Sequence, residues 1–141
     1  MRLQTLLLSF LAASLAFTAT SFTAPQDDEP TPLQEAMGKM QGSQRAMRRM
    51  IGDPVANKDA LLRATTAIQE GALAAYPLAP PAPEGVDADT WRIGYQRQIL
   101  KTLDAALACE LATHQGDAEA LNAGYQALGS SKKTGHDQYQ R

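Results

Sequence analysis

The chain has 141 residues, 44% hydrophobic and 6% aromatic, with 13 basic against 15 acidic side chains. That length suits one domain, and the slight acidic excess leaves no electrostatic footprint for nucleic acid. The one cysteine, Cys109, has no partner thiol, which excludes an internal disulfide as the framework.

Residues 1–24 open with a single charge at Arg2, continue as an apolar run from Leu6 to Phe17, and finish in small and polar residues. This is the layout of a secretory signal peptide, and its apolar run is too short to span a bilayer. Cleavage is expected after Ser21 or after Ala24, with Pro25 a poor residue to follow the second cut; no cysteine follows the run to take a lipid. Losing Arg2 with the leader lowers the 13 basic residues to 12 against 15 acidic ones, a net charge of −3. The chain is expected to be exported to the periplasm, with no membrane segment after the leader is removed.

Residues 25–32 read as a disordered acidic linker with nothing apolar to bury, and residues 33–141 as one helical domain. Abundant Ala and Leu with few aromatics favour helices over sheets. Thr31 is placed to cap the first helix, with Pro32 at its first position and Gln34 closing a capping box. The helix is expected to run to about Ile51, with Leu33, Met37, Met40, Met47 and Ile51 in one stripe at about 100° per residue and Lys39, Arg45 and Arg48 off it. Gly52-Asp53-Pro54 ends it. Asn57 is positioned to cap a second helix through about Tyr76, with Leu61, Leu62, Ile68 and Leu73 on its apolar side.

The four prolines between Pro77 and Gly85 make an extended connection that can join neither neighbouring helix. Asp87 starts a third helix carrying Trp91, Tyr95, Ile99, Leu103, Ala106 and Leu107, which ends near His114 at Gly116. Asp117 caps the fourth, with Leu121, Tyr125, Leu128, His136 and Tyr139 on its stripe. Gly124, Gly129 and Gly135 each weaken that helix by about 1 kcal/mol relative to Ala, so ordering of its last turns is expected to depend on a ligand. Four amphipathic helices with short connections and no strand pattern predict an all-α, antiparallel up-down-up-down four-helix bundle.

Antiparallel order brings the starts of helices one and three and the end of helix four to the same end of the bundle. Met37, Trp91, Tyr95 and His136 can therefore face one cavity. A thioether opposite an imidazole across an apolar, aromatic-walled slot is the axial ligand pair of a low-spin haem in electron carriers. Two protein ligands leave the iron no open position for substrate, so such a site moves electrons and is not an enzyme's.

Leu33-Gln-Glu-Ala-Met37, Lys58-Asp-Ala-Leu61, the spaced aromatics Trp91 and Tyr95, and His136-Asp-Gln-Tyr139 together resemble the soluble periplasmic cytochrome b562 family over the whole exported chain. The family's fold is itself an example of up-down-up-down bundles. The resemblance implies one haem b per chain, with Met37 and His136 as axial ligands and Trp91 and Tyr95 standing for two haem-packing phenylalanines. No Cys-x-x-Cys-His is present, so the haem is expected to be noncovalent. Lys132 stands where the family has an arginine one turn before the histidine, and Arg141 is displaced by one position from the family's terminal basic residue. Both are expected near a haem propionate.

Other readings stand beside this one. A Met stripe at helical spacing is commonly core packing, and Met40, one turn from Met37, is the competing sulfur. A histidine near a chain end commonly caps a helix C-terminus. His114 lies at the far end of the bundle, about 30 Å from His136. Cys109 is read as an inert buried thiol, and the isolated Asp104, Glu110 and Glu119 lack the Glu-x-x-His pairing of di-iron bundles. The alternative function is a haem-free exported binding or stress-response module, with the Met stripe taking cuprous copper. A monomer with an unidentified redox partner protein is expected.

Overall fold

Thr31, Asp87 and Asp117 each put a side-chain oxygen on the backbone N–H three residues ahead, at Gln34, Thr90 and Ala120, at 3.2, 2.8 and 3.0 Å. These caps satisfy donors that a helix start leaves unpaired. The computed structural model describes residues 29–140; the leader, residues 25–28 of the linker and Arg141 lie outside them. Four helices follow: α1 (Pro32–Met47), α2 (Lys58–Ala75), α3 (Ala88–Gln115) and α4 (Ala118–Tyr139). Among the described residues there is no strand, and no helix is long and apolar enough to cross a membrane. The Thr31 capping box is complete, with the Thr31 N–H donating to Gln34 Oε1 at 2.7 Å, and Pro32 opens α1 at the first helical position as expected.

Neighbouring helices run antiparallel. Between α3 and α4, Gly94 faces Tyr139, Gln98 meets Ser131, and Cys109 packs on Gly124, so positions rise on one helix as they fall on the other. Tyr95 reaches Ala75 and Glu110 reaches Gln69 in the same sense across α2 and α3. Lys39 pairs with Glu70 across α1 and α2. Gln41 and Gln44 of α1 approach Lys132 and Gly129 of α4, but these two helices pack far less closely than the other neighbours.

The core runs along the bundle axis through Met47, Leu61, Ile68, Ile99 and Leu121. Small residues let the backbones close in. A Cβ on Gly71 would lie 2.6 Å from Met40 Cγ and 3.0 Å from the Ala36 carbonyl, and one on Gly124 would lie 2.7 Å from Cys109 Sγ. The glycine at 124, unfavourable to the isolated helix, is what admits the buried thiol.

Several expectations are corrected. Helix α1 ends at Met47, not Ile51; the chain then tightens, with both Met50 and Ile51 donating to the Met47 carbonyl. Asn57 occupies the cap position of α2 but makes no side-chain cap bond. Its Nδ2 donates back to the Asp53 carbonyl, and Asp53 Oδ1 accepts from the Ala56 N–H, both at 2.9 Å. Leu73 is 61% exposed because it lies about 140° around the helix from Ile68; Gly71, Ala72 and Ala75 fill its expected place. Leu107 also faces outward. Helix α4 reaches Tyr139, the last residue of its expected stripe, where the ring meets Trp91 and Tyr95.

Gly116 adopts a left-handed conformation with φ 70°, and the N–H groups of Gly116 and Asp117 close back on Thr113 and Ala112, a Schellman stop. Gly116→Ala is expected to cost about 1–2 kcal/mol, the penalty of a Cβ in that region, read as a lowered midpoint in urea.

Candidate functional site

Where α1 and α4 stand apart, a cavity of about 340 Å³ opens between them and reaches inward to α3 and α2. Its inner wall is made of buried Met40, Ile68, Tyr95, Ile99 and Leu128, and its rim includes exposed Gln34, His136 and Gln140. Half-buried Met37 borders it from α1, while half-buried Lys132 and Tyr139 border it from α4. The volume lies in the range of small-molecule sites, which are mostly apolar with a few placed polar groups.

Met37, Tyr95, Lys132 and His136 are therefore brought to one cavity. Each arrives by helical register: Met37 stands two positions past the first turn set by Thr31, and His136 lies one turn beyond Lys132. Met40 also borders the cavity, but its side-chain stem packs against Gly71 of α2. Met37 also packs against the core but is only half-buried, which leaves it the more accessible of the two.

Trp91 does not border the cavity. Its indole N–H donates to the Pro80 carbonyl at 2.9 Å, and its ring meets Tyr139 edge-on at 4.7 Å. Tyr139 in turn meets Tyr95 at 5.5 Å, over a gap that Gly94 leaves open for its hydroxyl. The aromatic expected to wall the site instead stands behind Tyr139 and fixes the end of α4. Arg141 lies outside the described residues.

Two features escaped the sequence reading. On the inner wall Gln98 Nε2 donates to the carbonyl and to Oγ of Ser131, at 2.7 and 2.9 Å, and Ser131 Oγ lies 2.7 Å from Thr102 Oγ1. Gln98 and Thr102 sit on the inward arc of α3 between Tyr95 and Ala106, so the signal was present in the wheel as polar residues on the apolar face. At the rim the Gln41 amide, oriented so that its oxygen faces the two cations beside it, accepts from Lys132 Nζ at 2.8 Å and from Arg45 Nη2 at 3.1 Å. Two cations thus share one amide beside the cavity, and Arg45 had been assigned only to the outer face of α1.

Comparison with family models, curated proteins and solved structures found no match to this chain.

Burial pushes the Tyr95 phenol from 10.0 up to about 12 and the Cys109 thiol from 9.0 up to about 11. Tyr95 donates its proton to the Ala75 carbonyl at 2.9 Å, a bond that is lost on ionisation. Both groups hold their protons more tightly folded than unfolded, so their contribution is intact below about pH 9 and is lost as pH rises to about 12. Stability in urea is expected to fall across that interval. Cys109→Ala should delay the onset to about pH 10, where the phenol begins to titrate in the unfolded chain.

Proposed function

We propose that this chain is an exported electron carrier that binds one haem b noncovalently between α1 and α4, with Met37 and His136 as axial ligands. The observation that carries the reading is that a thioether from the first helix and an imidazole from the last border the same cavity. Among the described residues, no three His, Cys, Asp or Glu side chains gather into a metal cluster. A macrocycle that brings its own ring nitrogens asks only two ligands of the protein, and this donor pair suits it.

The remaining residues fit the group as well. Ile68, Ile99 and Leu128 give the inner wall a low-dielectric lining, and Tyr95 adds an aromatic face whose hydroxyl is already satisfied by Ala75. Lys132 borders the cavity and Arg45 shares the Gln41 amide with it, so two positive charges stand near carboxylates that would remain in contact with water. When bound, the haem supplies a one-electron couple, and thioether ligation favours its reduced form. The chain's part is to hold both ligands, exclude water from the inner wall and leave no position for substrate. The exchange partner is a redox protein of the same compartment.

Titrating residues 25–141 with haemin tests this. Saturation at one equivalent, sharp reduced-state absorption bands and a raised melting temperature are expected, since a ligand that binds only the folded state stabilises it. If haemin leaves both spectrum and melting temperature unchanged, the electron-carrier reading fails. Stabilisation by cuprous copper, lost in Met40→Leu, would then identify the haem-free module.

A further inference from the structure

Helix α3 turns one face to the core and cavity, through Tyr95, Gln98, Thr102 and Cys109. Its opposite face is also apolar. Ile93, Leu100, Leu107 and Leu111 are between 47% and 59% exposed, and they fall within about 40° of one another on the helical wheel. Together with exposed Arg97 and Asp104 they step along the helix by alternating fours and threes. That is the a/d spacing of a two-stranded coiled coil. Neither charge is held in an ion pair among the described residues, where Lys39–Glu70, Arg92–Asp89, His114–Glu110 and Lys133–Asp137 are the pairs formed.

We propose that this seam binds a second copy of the chain, α3 against α3 and antiparallel, about a two-fold axis near the level of Thr102. In that register Ile93 lies against the partner's Leu111, Leu100 lies beside the partner's Asp104, and Arg97 comes within one turn of the partner's Asp104. Symmetry repeats each contact, so the Arg97–Asp104 pair forms twice and each charge in the seam is answered once. Charge decides the occupant and the direction. A parallel, in-register pair would set Arg97 on the partner's Arg97 and Asp104 on the partner's Asp104, and an uncharged apolar helix would leave both charges without partners. Sliding the pair by one heptad sets Ile93 on the partner's Asp104 or takes it off the partner helix. A polar pair within an apolar seam fixes register in this way, and the contact is isologous.

The seam spans about 27 Å of helix. A single helix pair of that length buries less than the roughly 800 Å² per partner of a standard interface, so a concentration-dependent dimer is expected in place of the monomer inferred from sequence. The cavity opens on the opposite side of α3, and the proposal is independent of what the cavity binds.

Sedimentation of residues 25–141 over a concentration series tests it, with and without haemin. A monomer–dimer equilibrium is expected in both conditions. Arg97→Glu and Asp104→Arg, each alone, should weaken dimerisation by at least about tenfold through like-charge contact. The double variant inverts both signs on both chains and should restore it. Leu107→Gln should disrupt the dimer with unchanged circular dichroism, separating loss of the seam from loss of the fold. A monomer at every concentration overturns the proposal. So does a dimer indifferent to the single charge reversals, or single losses that the double variant does not restore.

Discussion

His136→Ala is expected to abolish the sharp reduced-state bands of the haemin-saturated protein and to lower haem affinity by more than about a hundredfold. Removing a group that merely orients a metal ligand costs about 10- to 100-fold, and removing the ligand itself should cost no less. The imidazole serves both oxidation states of the iron, so its loss is felt in both. Met37→Ala should have a different signature. The thioether mainly favours the reduced iron, so the oxidised complex should persist while the reduced protein gains an open position and binds carbon monoxide rapidly. Optical titration of the two variants against the parent checks both outcomes. Identical spectra in all three proteins would mean that haemin is held without these side chains.

Leu61→Ala is expected to destabilise the domain by about 2–5 kcal/mol in urea, the range for emptying a large buried site. Leu61 is fully buried and belongs to the central cluster. Leu73→Ala on the same helix should change stability by no more than about 0.5 kcal/mol, as for most surface sites. Both leucines look alike in composition and both were assigned to the apolar side of α2. The difference comes from about 140° of helical phase between Leu73 and Ile68, and from Gly71, Ala72 and Ala75 forming the packed face instead. Equal losses would show that Leu73 is covered in solution.

Helix starts were the most legible feature, because Thr31, Asp87 and Asp117 act on backbone groups only three residues away. The stop at Gly116 was equally local, since a left-handed turn calls for glycine. Asn57 shows where such reasoning ends: the same residue type bonded backward to Asp53 because the preceding turn offered its carbonyl. Met37, Tyr95 and His136 were placed together by register and antiparallel order, and Lys132 was added by the resemblance to the cytochrome b562 family. Trp91 was displaced because Pro80 offers its indole a carbonyl and Tyr139 occupies the space in front of it, contacts that depend on the path of the proline-rich connection. The bonds from Gln98 and Thr102 to Ser131 and the contact of Lys132 with Gln41 join residues distant in sequence. Within one helix the wheel shows only that Gln98 and Thr102 are polar residues on the apolar face and that Gln41 and Arg45 are one turn apart. The outward seam of α3 was half visible, since Leu107 was named among that helix's apolar residues but its exposed neighbours Ile93, Leu100 and Leu111 were not.

The electron-carrier reading turns on which sulfur and which imidazole meet at the cavity. Proton NMR of the reduced, haemin-saturated protein reads this directly, because the porphyrin ring current moves the methyl of an axial methionine upfield of every other methyl. The account predicts one such resonance, absent in Met37→Ala, absent in His136→Ala and retained in Met40→Ala. A resonance that disappears with Met40, or no upfield methyl in a protein that has bound haemin, would contradict it.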